Sequence, residues 1–289
     1  METDAWFGTG LMGAAFVERL QACGRSVVVY NRTAEKAVAL ERFGARAVQD
    51  PCDAARGVQR LHIMLSDDAV VDELLDRIAG DIAPGAIVMD HSTVAPAPTE
   101  RRFAWLTERG IAFLHAPVLM TPVMARAAGG LMLVSGSEAT YTAARADLDL
   151  LSADVWYLGE RTGKAATLKL FGNAILTFMI AALADGYALA ADAGVSPREA
   201  LELFGHFKPG GALEFRGKKM VDGDFTPLFE LSMARKDVRL MLDTAAAGPA
   251  PLHVLPAIAA RMDALIAAGH GADDMAVLGI DSVMPNGAR

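Results

Sequence analysis

Little in this 289-residue sequence invites a disulfide framework, a metal or a nucleic acid. Its only cysteines, Cys23 and Cys52, are too few for several bridges and suit a reducing compartment, where cysteine behaves as a small apolar residue. The six histidines show no paired spacing that fits a metal, so no metal site is expected. Lysine and arginine form no long run and the net charge is -8. Phosphate neutralisation needs clustered cations, so nucleic acid is not an expected partner. The small cluster Arg216-Gly217-Lys218-Lys219 reads as a solvated face. The opening residues Met1 to Asp4 are acidic and run into a short apolar strand, unlike the basic head and long apolar core of a secretory signal. A cytoplasmic location is expected. No repeat or low-complexity linker is evident. An almost uncharged stretch from Leu170 to Ala184 falls short of the roughly 20 residues that span a bilayer. It reads as a helix buried in a large core, with no membrane partner.

What is present is the composition of a packed enzyme, 53% hydrophobic and 21% charged, at a length that suits two domains. The first half alternates short apolar runs with helical spacing. Strands are expected at Ala5–Phe7, Ser26–Tyr30, Leu61–Leu65, Ala86–Met89, Ile111–Leu114 and Leu131–Ser135, with helices over Leu11–Ala22, Glu35–Phe43 and Ala69–Ile78. Such alternation implies parallel strands with right-handed crossovers, an α/β doubly wound sheet of Rossmann type. After Trp156 the pattern changes. A long helix is expected from Lys164 to Asp192, ended by Gly194, and 29 residues at 1.5 Å each span about 43 Å, enough to join two domains. The rest reads as helical, at Pro197–Phe204, Leu228–Ala247 and Pro256–Ala268. The expected domains are residues 1–161, for the dinucleotide, and residues 162–289, a helical domain for substrate and dimerisation.

The run Gly8-Thr9-Gly10-Leu11-Met12-Gly13 follows the first strand and opens the first helix. There Gly8 serves a tight turn, Gly10 lets the backbone approach a pyrophosphate, and Gly13 lets helix and strand pack closely. The helix N-terminus then offers unpaired N–H groups to the phosphates. The second strand ends in Tyr30-Asn31-Arg32-Thr33, without the acid that binds the 2′-OH of NAD. Arg32 can instead meet a 2′-phosphate, with Asn31 and Thr33 as neutral partners, or it is simply solvated. NADPH is the expected cofactor, with NAD as the alternative. The loop Met64-Leu65-Ser66-Asp67 is placed beside the adenosine and nicotinamide ribose. Asp90-His91-Ser92-Thr93 is placed beside the nicotinamide or the substrate.

Lys169 and Asn173 lie four residues apart in an apolar helix and share one face. Such a lysine can snorkel to solvent, pair with a surface acid, or act as proton donor to a carbonyl oxygen that gains charge as hydride arrives. Burial tunes an amine toward neutral pH and suits the third role.

The order of these segments resembles the β-hydroxyacid dehydrogenase family, which includes 3-hydroxyisobutyrate dehydrogenases and glyoxylate/succinic semialdehyde reductases. The matching stretches are the glycine run, Tyr30-Asn31-Arg32-Thr33, Asp90-His91-Ser92-Thr93, Ala116-Pro117-Val118, Gly163 through Lys169 to Asn173, and Lys236-Asp237. The resemblance implies an NADP(H)-dependent oxidoreductase with a 6-phosphogluconate dehydrogenase-like helical domain. It implies Lys169 as acid/base, Asn173 beside it, and Thr93 at the reacting centre next to Ser92. It also implies that Lys236 and Asp237 close the site toward cofactor and substrate, that Phe229 walls the nicotinamide pocket, and that the chain forms a homodimer or higher homo-oligomer. After Ala116-Pro117-Val118 the family continues Ser-Gly-Gly, which holds a substrate carboxylate. Here Leu119, Met120 and Thr121 stand instead, followed by Pro122, which has no N–H to give. A substrate that is larger, or less dependent on a carboxylate clamp, is expected. Two further functions stay open: reduction of imines or non-acid carbonyls, which the altered turn favours and Lys169 disfavours, and NADP binding without turnover.

Overall fold

The computed structural model describes residues 3–246, 248 and 250–283. The end of the expected helix at Ala247, and Met1 and Glu2 of the acidic start, lie outside the described residues. The chain divides into two compact units between Ala174 and Ile175.

In the first unit β1 (Thr3–Phe7), α1 (Leu11–Ala22), β2 (Ser26–Tyr30), α2 (Ala34–Val38), β3 (Arg46–Val48), α3 (Pro51–Ala55), β4 (Arg60–Ile63), α4 (Asp68–Ile78), β5 (Ile87–Asp90), α5 (Pro96–Thr107) and β6 (Ala112–His115) form a six-stranded parallel sheet with its helices. The strand order β3-β2-β1-β4-β5-β6 is the dinucleotide-binding order, with its topological switch between β1 and β4. The strands are apolar on both faces because both are covered. Trp6, Val27, Val29, Met89 and Leu114 pack on one side with Phe16 and Leu20 of α1. Ala5, Phe7, Val28, Ile63 and Val88 pack on the other with Val71, Leu75 and Ile78 of α4. This is period-two alternation with helices on each face, and each large aliphatic side chain so buried contributes about 1.5–3 kcal/mol. At the amino ends of the strands Asp4, fully buried, accepts from Arg25 at 2.8 and 2.7 Å, and Asp147 bonds both Arg25 and Arg60.

Leu131–Ser135, expected as a further strand of that sheet, belongs elsewhere. β7 (Val118–Leu119), β8 (Leu131–Val134) and β9 (Asp154–Tyr157) form a separate three-stranded sheet, in which β7 runs antiparallel to β8. Pro117 lacks the N–H that would continue a ladder from β6, and the chain turns there. The helices α6 (Pro122–Arg126) and α7 (Glu138–Leu151) complete the unit. The expected helix Glu35–Phe43 is interrupted: α2 stops at Val38, and a 3₁₀ turn covers Glu41–Phe43 before Gly44 at φ +99°.

α8 (Lys164–Asp192) begins in the first unit and ends in the second at Gly194, φ +80°. In the second unit it is followed by α9 (Pro197–His206), α10 (Gly210–Asp222), α11 (Leu231–Ala245), α12 (Leu255–Leu265) and α13 (Ile280–Val283). The core of that unit is Leu231, Ala234, Val238, Met262, Leu265 and Val277. Asp185, buried in the middle of the apolar helix, caps the start of α12 by accepting the N–H groups of His253, Val254 and Leu255 at 2.8–3.0 Å.

The expected core burial of Leu170–Ala184 is not found. Phe171, Phe178 and Ile180 are 64%, 64% and 69% exposed, and Leu176 is exposed as well. Apolar residues occur on several sides of this helix, more than one chain covers. By length and composition alone, Lys164–Ala191 would suffice to cross a membrane.

Candidate functional site

The turn from β1 to α1 is built on three glycines. At Gly8, φ +95°, a Cβ would stand 2.1 Å from the Met64 carbonyl oxygen. At Gly13 it would stand 2.0 Å from the Gly8 carbonyl oxygen, which already accepts the Trp6 indole N–H at 3.0 Å. At Gly10 a Cβ would meet nothing within 4 Å. The first two glycines allow backbone to touch backbone, and the third leaves space open at the helix start. Gly10 is extended, φ -67° and ψ -171°, and no side chain caps α1, so the first N–H groups of the helix are available to an anion.

A cleft of about 640 Å³ lies over this turn, at the carboxyl ends of β1, β2, β4 and β5. Gly8, Gly10, Leu11, Met12 and Gly13 form its floor, Asn31, Arg32 and Thr33 one end, and Met64, Leu65, Ser66, Ser92 and Thr93 the other wall. Thr9 is turned inward, and its N–H donates to Asn31 Oδ1 at 3.0 Å. The Asn31 amide donates in turn to the Thr33 carbonyl at 2.9 Å, so Asn31 braces the two loops against each other. Two cations unforeseen from the sequence line the Arg32 end, Lys36 and Arg77. Lys36 sits one turn after Thr33, a spacing that was there to be used. Arg77 comes from α4, pairs with Asp50 at 3.1 Å, and left no local signal. The open Gly10, the uncapped helix and these cations fit a dinucleotide diphosphate with a further phosphate on its ribose.

Ser92 is held on every polar atom. Its N–H donates to Asp90 Oδ1 at 2.9 Å, its carbonyl accepts from His115 Nε2 at 3.1 Å, and its hydroxyl accepts the Leu65 N–H at 2.9 Å. Thr93 follows at the cleft. His91 Nδ1 lies 2.9 Å from the Ala116 carbonyl and His91 Nε2 lies 3.0 Å from His62 Nδ1. These groups are all buried. Burial pushes the His91 and His115 imidazoles down to about 4 and His62 well below its ordinary value, and it raises the Asp90 carboxyl.

Lys169 Nζ donates to the Val118 carbonyl at 2.7 Å and to Asn173 Oδ1 at 3.0 Å. The i,i+4 pair therefore meets, and among the described residues the lysine is held by a carbonyl and an amide oxygen rather than by an acid. Burial lowers its pKa. Next to Val118 the Leu119 side chain packs on Gly172, where a Cβ would lie 3.2 Å from Leu119 Cδ1. Met120 packs on Gly130, and Thr121 Oγ1 accepts the Met124 N–H at 3.3 Å, capping α6. The Thr121 hydroxyl is thus engaged within the fold.

Phe229, Lys236 and Asp237 belong to the second unit. Lys236 and Asp237 pair with each other at 2.9 Å on α11, and the Phe229 N–H is held by buried Asp274 at 3.1 Å. Among the described residues no group of three or more His, Cys, Asp or Glu could hold a metal.

Fold and cleft together define a dinucleotide-binding protein, and the family matches that follow make it an NAD(P)-dependent oxidoreductase. Residues 4–159 match the NAD-binding domain of 6-phosphogluconate dehydrogenase, and residues 163–280 match the NAD-binding domain of NADP-dependent 3-hydroxyisobutyrate dehydrogenase. The chain belongs to the β-hydroxyacid dehydrogenase family. It is 29% identical over 278 residues to the uncharacterized oxidoreductase YfjR of Bacillus subtilis, covering 95% of this chain and 97% of that one. It is 25% identical over 280 residues to 2-(hydroxymethyl)glutarate dehydrogenase of Eubacterium barkeri, covering 94% and 92%. A 259-residue match at 29% identity to the human nuclear factor N-PAC covers 88% of this chain but only 46% of that protein. Among solved structures, an imine reductase from Myxococcus stipitatus in complex with NADP+ shares the fold, with a TM-score of 0.87 at 22% identity over 96% of this chain and 98% of that one.

The buried histidines set a pH limit on stability. Their folded pKa values lie below the unfolded value near 6.5, so the unfolded chain binds protons first as pH falls. Stability should decline between pH 6.5 and 4, by about 3 kcal/mol each for His91 and His115. Asp90, raised by burial, opposes this at the acid end. Urea midpoints at pH 7, 6 and 5 should fall steeply; flat midpoints would show that these rings are solvated.

Proposed function

We propose that this chain interconverts a hydroxy compound and its oxo or semialdehyde form with NADP(H), Lys169 serving as general acid/base. The observation that carries this is the Lys169 amine, pinned between Val118 O at 2.7 Å and Asn173 Oδ1 at 3.0 Å with its pKa lowered by burial. When bound, the reduced nicotinamide supplies the hydride. The glycine turn and the α1 N-terminus would hold its diphosphate, and Arg32, Thr33 and Lys36 a 2′-phosphate, which supports NADPH over NADH. In reduction the Lys169 ammonium gives a proton to the nascent alkoxide, and in oxidation the neutral amine removes it. Asn173 orients the amine, and Ser92 and Thr93 line the cleft wall. NADPH oxidation, with NADH in parallel, against carbonyls from glyoxylate and succinic semialdehyde to larger ketones and cyclic imines tests this. Lys169→Ala should lower kcat by about 10²–10⁴-fold. NADPH binding with no turnover of any carbonyl would favour a sensor instead.

A second reading, reduction of imines or neutral carbonyls, is favoured by Leu119. Its side chain lies on Gly172, between Lys169 and Asn173 in the helix, where an anion-binding turn is absent. Leu119→Ser, Met120→Gly and Thr121→Gly together should raise kcat/KM for succinic semialdehyde by about tenfold, the worth of one hydrogen bond to a charge. The loss of the α6 cap costs about 1 kcal/mol of stability. No gain would sink the role assigned to this turn.

The exposed apolar side chains of α8 support a homodimer in which a second copy covers Phe171, Phe178 and Ile180. A protein with reduced Cys23 and Cys52 and an NADPH site suits the cytoplasm. Light scattering should give twice the 30.5 kDa chain mass, and Ile180→Glu should halve it. A monomer that partitions into lipid vesicles would overturn the dimer.

A further inference from the structure

The buried polar groups behind the cleft take no part in the chemistry above, yet two of them form one directed chain. His62, His91 and Trp6 are buried together, and both imidazoles stack on the indole at centroid distances of 4.9 and 5.5 Å. A carbonyl oxygen only accepts, so the 2.9 Å contact to Ala116 requires a proton on His91 Nδ1. A neutral His91 then presents Nε2 as an acceptor, and the 3.0 Å contact places the His62 proton on Nδ1. The direction of donation is fixed, from His62 to His91 to Ala116.

Two residues beyond Ala116, the Val118 carbonyl accepts the Lys169 amine. The segment between is stiff. Pro117 holds its own φ near -65°, its carbonyl accepts the Leu133 N–H at 2.9 Å, and the Ala116 N–H donates to Asp90 O at 2.7 Å. A shift of the Ala116 peptide is therefore passed on to Val118 rather than absorbed. His91 also lines the dinucleotide cleft, so one residue joins the cofactor wall to the segment that leads into the strand carrying the lysine's acceptor.

We propose that His91 is a positioning residue for proton transfer. Through the Ala116 carbonyl it sets the place of the Val118 carbonyl that holds Lys169, and His62 keeps His91 in the tautomer this requires. The inference rests on Lys169 as the acid/base group, but its physical content is the state of one amine and is read without turnover.

The experiment is competitive acylation of the full-length protein with acetic anhydride from pH 7 to 11, with the Lys169 peptide quantified by mass spectrometry. An ammonium that loses a carbonyl acceptor titrates lower, so His91→Leu should raise Lys169 labelling at pH 8 by about threefold or more. His91→Asn, whose Nδ2 takes the place of Nδ1 and can donate to Ala116, should return it to within about twofold of wild type, a rescue that a general packing defect would not show. Unchanged labelling in folded His91→Leu overturns the proposal. Should that variant not fold, His62→Phe keeps a ring on Trp6 and removes only the donor to His91. It should shift labelling in the same direction, and no shift there overturns the proposal equally. A shift in labelling beside wild-type protein that reduces no carbonyl would sink the role of Lys169 in catalysis while leaving the link from His91 to its amine intact.

Discussion

The first unit depends on one close contact, that of the Gly8 carbonyl with the backbone of Gly13 and the indole of Trp6. A side chain at Gly13 would need the space that this oxygen occupies, and one at Gly8 would strike the Met64 carbonyl. Because these approaches are made by backbone, α1 lies flush on the sheet and its first N–H groups open directly into the cleft. The aromatic floor follows from the same contact. Trp6 reaches back to Gly8 and offers its face to His62 and His91, and His91 reaches forward to Ala116. Cofactor cradle, loop wall and the segment that carries the lysine's acceptor thus rest on a common buried stack.

Much of this was legible beforehand. The glycine spacing located the cleft, since a turn that admits no Cβ at two places must be written with glycine. The end of α8 was readable from Gly194, and the Lys169–Asn173 pair from a four-residue spacing. Other features had no local signature. β7 and β9 are short and paired only at long range, and nothing in Leu131–Ser135 tells which sheet it will join. Asp147 and Arg60, 87 positions apart, meet only after folding. Asn31 lines the cleft while its side chain also holds Thr9 and Thr33, and Thr121 caps α6 through Met124. Polar side chains near a site are claimed first by their own loops.

The exposure of α8 departs furthest from what its sequence implies, and the cause is physical. An apolar stretch records only that water is to be excluded and is silent on what excludes it. Asp185 shows the two demands on this helix: one carboxylate is buried to cap the start of α12, while phenylalanine and isoleucine a few residues earlier face outward.

The packing of Leu119 on Gly172 has a consequence for how sequences of this kind vary. A methyl group at 172 would press on the end of Leu119 at about 3.2 Å, so the two positions share one volume although they lie on different elements and 53 residues apart by number (172 minus 119). Enlargement at 172 makes the tip of Leu119 give way by a few tenths of an ångström, and contraction at 119 removes that demand. Homologues should therefore trade bulk between these positions, and a library that varies 119 with glycine held at 172 explores only half of the shapes this wall can take.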